Sequence, residues 1–478
     1  LTSCGDDGGA QDANLEGDSA TEADGAADAD GDVDADPDGE ADAVGDADGD
    51  GDAETIGDAD AEAETDVPPP VGTVTDTIRT DHFGWRTADR KLAVLLELER
   101  ATVELRAVSD GAVAGTFTSG AFADDEDSGD HHSVVDFSSF ATPGAYYLYL
   151  PATDERSYEF RIADDVYDVA GAAAMKSFYY QRCNHTKEVP YATDALPGFV
   201  GLGGRWEDGA CHDTDWTVGP GPGSADDGSL DLHGGWHDAG DYQKTLWGRG
   251  VGQMLWAHEL NPGAFGDGTL AVPESGNGLP DILDELQWEL DFYVRMQRPD
   301  GHFLTSVKGR DATVYSPPSA CDEARVYFDS TSPSGGGWSG GGVTTFEATA
   351  NATLTLAHAS IVFRAAGATS TADTYRAAAL DGWGWLDAHS SSGDVERHLL
   401  CAAASAVYRV DPTQAAARAE VEGFAWSDWD VGLPWSVTPS DGVLTQAAWH
   451  YLSNASGTAG MKATIGDAFG QVAVDRAF

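Results

Sequence analysis

The first lysine or arginine in this chain is Arg79, and that delay limits what the chain can fold into more than any other feature. Residues 1–70 carry 25 of the 82 acidic residues, so −25 of the formal net charge of −56 lies in them. Most of the rest of the stretch is Ala and Gly. Such a segment cannot bury enough apolar surface to offset the entropy of ordering it, and its charges repel one another. Residues 5–72 therefore read as an acidic disordered linker ending in Val67-Pro68-Pro69-Pro70, with a reach of roughly 45 Å. Within it, Asp46-Ala47-Asp48-Gly49-Asp50-Gly51 has the first half of an EF-hand loop. Gly57 stands where the bidentate Glu belongs and no apolar helix flanks the run, so it reads as solvated spacer. The remaining 408 of the 478 residues still carry −31. Clustered Lys and Arg are needed to grip a phosphate backbone, so nucleic acid is excluded as a partner. No apolar run is long enough to span a bilayer.

The opening Leu1-Thr2-Ser3-Cys4 resembles the end of a bacterial lipoprotein signal, in which a short small-residue stretch precedes a Cys that becomes lipid-modified. Residues 1–4 are then a lipobox remnant with Cys4 as the lipidation site. The expectation is an exported protein, tethered at the bacterial cell surface or periplasmic face, that meets the membrane only through its lipid.

Residues 73–163 change character. Short Val-, Leu-, Tyr- and Phe-rich runs at 91–99, 101–108, 133–137, 145–150 and 158–162 are separated by turn residues. About 90 residues of such strands predict an immunoglobulin-like β-sandwich with a structural or docking role. His131-His132 lies in a polar loop and reads as solvated.

Residues 164–478 are patterned helically. Helices are predicted at 166–181, 242–258, 281–298, 344–366, 375–388, 395–408, 414–422 and 443–452, with long Gly/Pro-rich loops between several of them. Similar helices joined by long loops predict an all-α (α/α) barrel whose loops build a site. Six helix pairs would need twelve helices, so the eight read here predict a barrel incomplete at the C-terminus, with sequence following Phe478.

The densest chemical constellation is Gly234-Gly235-Trp236-His237-Asp238-Ala239-Gly240-Asp241-Tyr242-Gln243-Lys244. Two carboxylates three residues apart, with small residues between them, can converge on one point, and the glycines allow a close approach to substrate. Asp241 could instead cap the helix that follows, but a cap does not account for the glycines and the flanking Trp and Tyr.

This segment resembles the catalytic signature of glycoside hydrolase family 9, the inverting cellulases. Further blocks agree in order: Ile78-Arg79-Thr80-Asp81-His82-Phe83-Gly84-Trp85, Phe178-Tyr179-Tyr180-Gln181-Arg182-Cys183, and the run from Pro273-Glu274-Ser275-Gly276-Asn277-Gly278-Leu279-Pro280-Asp281 to Glu285. The resemblance covers roughly residues 76–478 and implies a (α/α)6 barrel behind the sandwich. It implies hydrolysis of β-1,4-glucosidic bonds in cellulose or a related β-glucan by an inverting single displacement. Asp241 corresponds to the general base and Asp238 to the residue orienting the water. Inversion also needs a carboxylic acid on the other face of the sugar. The family's acid Glu matches nothing in this chain and is expected beyond its end. Glu420 and Glu422 read as a solvated helix face.

Cys183, Cys211, His212 and His237 supply two thiols and two imidazoles, a donor set suited to tetrahedral zinc. A Cys183–Cys211 disulfide is the alternative. The resemblance implies zinc, with His233 and then His185 as substitutes for the fourth ligand. Structural calcium is also implied, and Asp213, Asp322, Glu323 and Asp329 are loop oxygen donors without a motif. Trp236 and Tyr242 are the expected substrate-binding aromatics, with Trp206, Trp216, Trp247 and Trp338 also near the signature or in loops. Trp256 and Trp288 read as core. Two alternatives remain: a glycosidase acting on another β-linked glycan, such as a glucosamine oligomer or mixed-linkage glucan, and a non-catalytic surface glycan-binding protein.

Overall fold

The computed structural model describes residues 70–192, 206–221, 228–238, 243–246, 248–309, 317–321, 324–329, 343–391, 393–426 and 439–477. Cys4, residues 5–69 of the acidic linker, Asp241, Tyr242, Trp247, Asp322, Glu323 and Trp338 lie outside those residues.

The N-terminal part is a β-sandwich. One sheet runs Thr73–Val74, Glu155–Arg156, Gly144–Leu150, Phe160–Ile162, Gly84–Trp85, with Thr102–Ala107 joining Gly144–Leu150 and Val113–Thr118 pairing with Thr102–Ala107. The other sheet runs Ile78–Arg79, Leu92–Leu96, His131–Asp136, Ala123–Asp124. Their inner faces supply Leu95, Leu105, Val135, Phe137, Leu148 and Phe160, around Trp85. The Trp85 ring meets Phe137 and Phe160 edge-on, at centroid distances of 5.0 and 4.9 Å, the arrangement that ring quadrupoles favour.

Val113–Thr118 is a strand the sequence reading missed. Its Gly and alternating Thr carry little apolar signal, and its pairing with Thr102–Ala107 makes it a strand. The run Tyr146-Tyr147-Leu148-Tyr149-Leu150 looks alternating, yet all five residues are buried. Arg156 and Arg106 lie over the Tyr147 and Tyr149 rings at 5.5 and 4.4 Å and cover the outer face.

The C-terminal part is helical. Its helices are α1 Asp168–Gln181, α2 Gly248–Leu260, α3 Asp281–Met296, α4 Thr345–Ala365, α5 Thr369–Ala388, α6 Gly393–Val410, α7 Ala415–Gly423, α8 Pro439–Ser453 and α9 Ala459–Ala477. The even-numbered helices pack in succession, α2 on α4, α4 on α6 and α6 on α8; α3, α5, α7 and α9 pair with them as a second layer. α4 is the clearest inner helix. It opens with a capping box of Thr344 and Glu347 and is buried around most of its circumference.

α9 was not predicted. It contains Gly460, Gly466 and Gly470, which lower helix propensity, but Ala-rich turns between them and packing against α8 hold the helix. The helical fold class expected for this part is the one observed, with one addition. A small sheet, Gly219–Pro220, Arg325–Phe328, Ser306–Gly309, Lys244–Thr245, lies among the helices. It takes Lys244 out of the helix predicted from residue 242, so α2 begins at Gly248.

The four even-numbered helices share one polar knot. Glu259 of α2 accepts from His358 Nε2 of α4 at 2.8 Å and from Trp449 Nε1 of α8 at 3.2 Å, and it pairs with Arg409 of α6. Arg409 Nη1 also donates to His450 Nδ1 of α8 at 3.2 Å. No described helix is long and apolar enough to cross a membrane.

Candidate active site and metal centre

The signature loop is built on two left-handed glycines, Gly234 (φ 81°) and Gly235 (φ 75°). A Cβ on Gly235 would stand 2.7 Å from Phe292 Cγ, so both conformation and space demand Gly there. The loop lies along the end of α1. Arg182 bridges to Trp236, Cys183 N–H donates to Gly235 O at 2.8 Å, and His237 N–H donates to Gln181 O at 3.0 Å.

α3 holds the loop from the other side. The Trp236 N–H donates to Glu289 Oε2 at 2.6 Å, and the indole Nε1–H donates to Glu285 Oε1 at 2.8 Å. Burial raises the Glu289 carboxyl well above the usual value, against the opposing pull of the Trp236 backbone N–H. Arg182 is fully buried and grips Glu285 (3.0 Å) and Glu274 (3.0 Å). Two sequence blocks that resembled one family separately are thus one hydrogen-bonded unit. Trp236 is only 3 % exposed and packs on Phe178 at 4.5 Å. It does not line a cleft as expected; it pins the loop.

Lys244 closes the base. It is fully buried, and its Nζ donates to Asp215 Oδ2 (2.6 Å), Leu232 O (2.6 Å) and Gly234 O (3.0 Å). Arg325 lies 3.7 Å from the other Asp215 oxygen. Burial would raise the Asp215 carboxyl, but Lys244 and Arg325 override it and hold the group ionised. The sequence reading gave no role to Arg182, Asp215, Lys244, Glu285 or Glu289. The available signals were that Lys244 ends the signature and that Arg182 and Glu285 stand in the two other blocks.

Asp238 is half-buried, and its N–H donates to Gln243 O at 3.0 Å. The four residues between them, Asp241 and Tyr242 included, are outside the described set. Glu422 is not on a solvated face as expected: its Oε1 accepts from Tyr451 Oη (2.7 Å) and Arg418 Nε (3.0 Å). Glu420 is half-buried as well, and burial raises its carboxyl.

Beside the loop, Cys183, Cys211 and His212 bring one ligand atom each within 4.8 Å of one another, all buried. Among the described residues they are the only three His, Cys, Asp or Glu groups so placed. The two sulfurs are 3.8 Å apart and unbonded, and Cys183 Sγ lies 3.4 Å from His212 Nδ1. Left-handed backbone at Asn184 and His212 bends the chain inward, and the Asn184 amide ties Cys211 O and His212 O to the Gly234 N–H. Burial raises the Cys183 thiol to about 12, while its hydrogen bond with Cys183 lowers Cys211 to about 7. His237 is next to this group, with ring centroids 6.3 Å from His212. Its Nδ1–H donates to Asp238 O at 3.1 Å, which makes Nε2 the acceptor nitrogen of the ring. His233 is committed to Asp231. Of the expected calcium donors, Asp213 is exposed at the start of a 3-10 turn and Asp329 is buried.

Comparison with known proteins bears on the family and the fold. The model of glycosyl hydrolase family 9 matches residues 167–429, and that of the cellulase N-terminal ig-like domain matches residues 73–155. Endoglucanase C of Cellulomonas fimi is 36 % identical over 264 residues, 51 % of this chain and 23 % of that protein. Endoglucanase D of Acetivibrio thermocellus is 35 % identical over 199 residues, 40 % of this chain and 29 % of that protein. The chain thus spans less than a third of the length of these relatives. A solved structure of a metagenome-derived family 9 endoglucanase superposes with a TM-score of 0.64 at 27 % identity, covering 82 % of this chain and 71 % of that one. A family model that covers more than half the chain, together with a shared two-part fold, makes this chain a member of glycosyl hydrolase family 9, carrying a cellulase-type ig-like domain in front of its helical part.

Proposed function

We propose that the protein hydrolyses β-1,4-glucosidic bonds in cellulose or a related β-glucan by single displacement with inversion. The observation that carries this reading is the braced signature loop. Trp236 is held by Glu285 and Glu289, Gly234 by Lys244 and Gly235 by the Cys183 N–H, so Asp238 starts from a fixed backbone. A preorganised carboxylate is what water activation requires, because misplacement of a reacting group by 1 Å can cost about 100-fold. Asp241 takes the proton of the water as it attacks the anomeric carbon, and Asp238 orients that water. The departing oxygen takes its proton from a carboxylic acid on the opposite face, roughly 6.5–9.5 Å from the base; no residue of this chain is assigned that role. The test is to digest soluble β-glucan with the complete protein and follow the new reducing ends by proton NMR. The α-anomer should form first. Initial release of the β-anomer, or no reducing ends at all, overturns the reading.

We also propose that Cys183, Cys211, His212 and His237 hold one structural zinc ion. Bonds of about 2.3 Å to sulfur and 2.0–2.1 Å to nitrogen give tetrahedral edges of roughly 3.5–3.8 Å, close to the separations of 3.8 and 3.4 Å here. Bound there, the ion would cross-link the end of α1 to the loop carrying Asp238. Metal analysis of protein purified without chelator should find about one zinc per chain, and Cys211→Ser should lose it. A Cys183–Cys211 disulfide in peptide mapping refutes the assignment.

A further inference from the structure

Trp216 is 52 % exposed, yet it is not a loose surface side chain. Its ring is stacked on His233 at a centroid distance of 3.6 Å and an interplanar angle of 21°. The imidazole is held in turn by Asp231, with Nδ1 2.5 Å from Oδ1. Both halves of the stack are fixed by one buried ammonium. Lys244 Nζ binds the side chain of Asp215, the neighbour of Trp216, and the carbonyls of Leu232 and Gly234, the two neighbours of His233. The Leu232 N–H also donates to Asp215 O at 2.8 Å. An aromatic face kept rigid while half in water loses little entropy when it binds something flat.

His233 directly precedes Gly234, the first residue of the signature loop, so the stack is contiguous with the candidate active site. We propose that Trp216, backed by His233, is a carbohydrate-stacking platform that takes a pyranose ring of the β-glucan beyond the bond being cut. This rests on the reading given under Proposed function. The chemistry fits on both sides. A β-linked glucose ring has equatorial hydroxyls and exposes flat C–H faces, and an indole presents an electron-rich face of matching size. With His233 covering one face of Trp216, the rest of the ring is the part available to sugar. The Asp231–His233 pair backs the indole without competing for the sugar.

The experiment is cellohexaose binding, read by tryptophan fluorescence and by affinity electrophoresis in soluble β-glucan. The Asp241→Asn background keeps the ligand from being turned over. Adding Trp216→Ala should weaken binding ~5- to 10-fold, and Trp216→Phe should recover most of that loss. His233→Ala, which frees the indole to tilt, should give an intermediate loss. If Trp216→Ala and Trp216→Phe both bind cellohexaose as tightly as the parent, the platform is wrong while the enzymatic reading stands. If the parent binds no β-glucan and the complete wild-type protein cleaves none, both fall together. Trp216 is half exposed, so its substitution should leave the thermal midpoint within about 1 °C of the parent; a larger drop with proportionate loss in the Phe variant would make the residue structural and overturn the proposal.

Discussion

Replacing Asp241 by Asn in the complete protein should lower kcat on soluble β-glucan by ~10²- to 10⁴-fold with little change in KM. The amide keeps the size and polarity of the side chain but cannot accept a proton from water. The loss therefore falls on the transition state, where the nucleophile is only partly deprotonated. Substrate binding depends on the cleft and should persist. Asp238→Asn should act differently, because a water-orienting residue contributes geometry: kcat falls, but by less than with the base removed. Azide is a ready nucleophile that needs no base, so added azide should partly restore turnover in Asp241→Asn and not in wild type. If Asp241→Asn keeps wild-type kcat, another carboxylate is the base.

The second large effect is on stability. Glu259→Gln should destabilise the helical domain by about 3–5 kcal/mol, because it removes the anion from a largely buried cluster and leaves the Arg409 cation without a countercharge. Five side chains from α2, α4, α6 and α8, two of them from α8, meet at this carboxylate or its partners. Burial would raise the Glu259 carboxyl, but hydrogen bonds from His358 and Arg409 override it and hold the group well below its ordinary value. Burial lowers His358 despite Glu259, and it lowers His450 further, with His358 and Arg409 adding to the effect. All three pKa values are depressed relative to the unfolded chain, so all three act in the same direction with pH. Below the ordinary histidine value of 6.5 the unfolded chain binds protons that the folded protein refuses. Stability should therefore begin to decline near there, by up to about 1.4 kcal/mol per pH unit for each imidazole. Glu259 adds to the decline below its ordinary 4.5. Urea midpoints at pH 7.5 and pH 5.5 for wild type and Glu259→Gln measure both effects. A variant within about 0.5 kcal/mol of wild type at pH 7.5 would show that the knot does not fasten the helices.

Much of the site was legible because it is contiguous. Gly234 to Lys244 carries its glycines, carboxylates and aromatics at fixed neighbouring positions, and the Pro273–Glu285 block is likewise local. Cys183, Cys211 and His212 were legible only through resemblance, since a gap of 28 residues between the two thiols fits no short metal motif. Trp236 was misjudged for an instructive reason. An aromatic beside a carboxylate suggests sugar stacking, yet this indole is buried against Phe178 with its N–H on Glu285. Whether an aromatic faces water or core depends on what packs across from it, which neighbours in sequence do not reveal.

The sequence by itself determined what composition and local spacing can determine. Periodicity separates the strand-rich from the helical half, and the Asp-, Ala- and Gly-rich composition of the opening is what the expectation of a linker rests on. Local spacing also brought Asp238 and Asp241 into one motif. The tertiary structure decided which charges neutralise one another. Lys244 meets Asp215 across 29 positions, Arg182 meets Glu285 across 103, and Arg409 meets Glu259 across 150. A charge can enter the interior only beside its countercharge. At such separations only closure of the fold chooses the partner, so the braces that hold the signature loop and the inner helices became visible only in three dimensions.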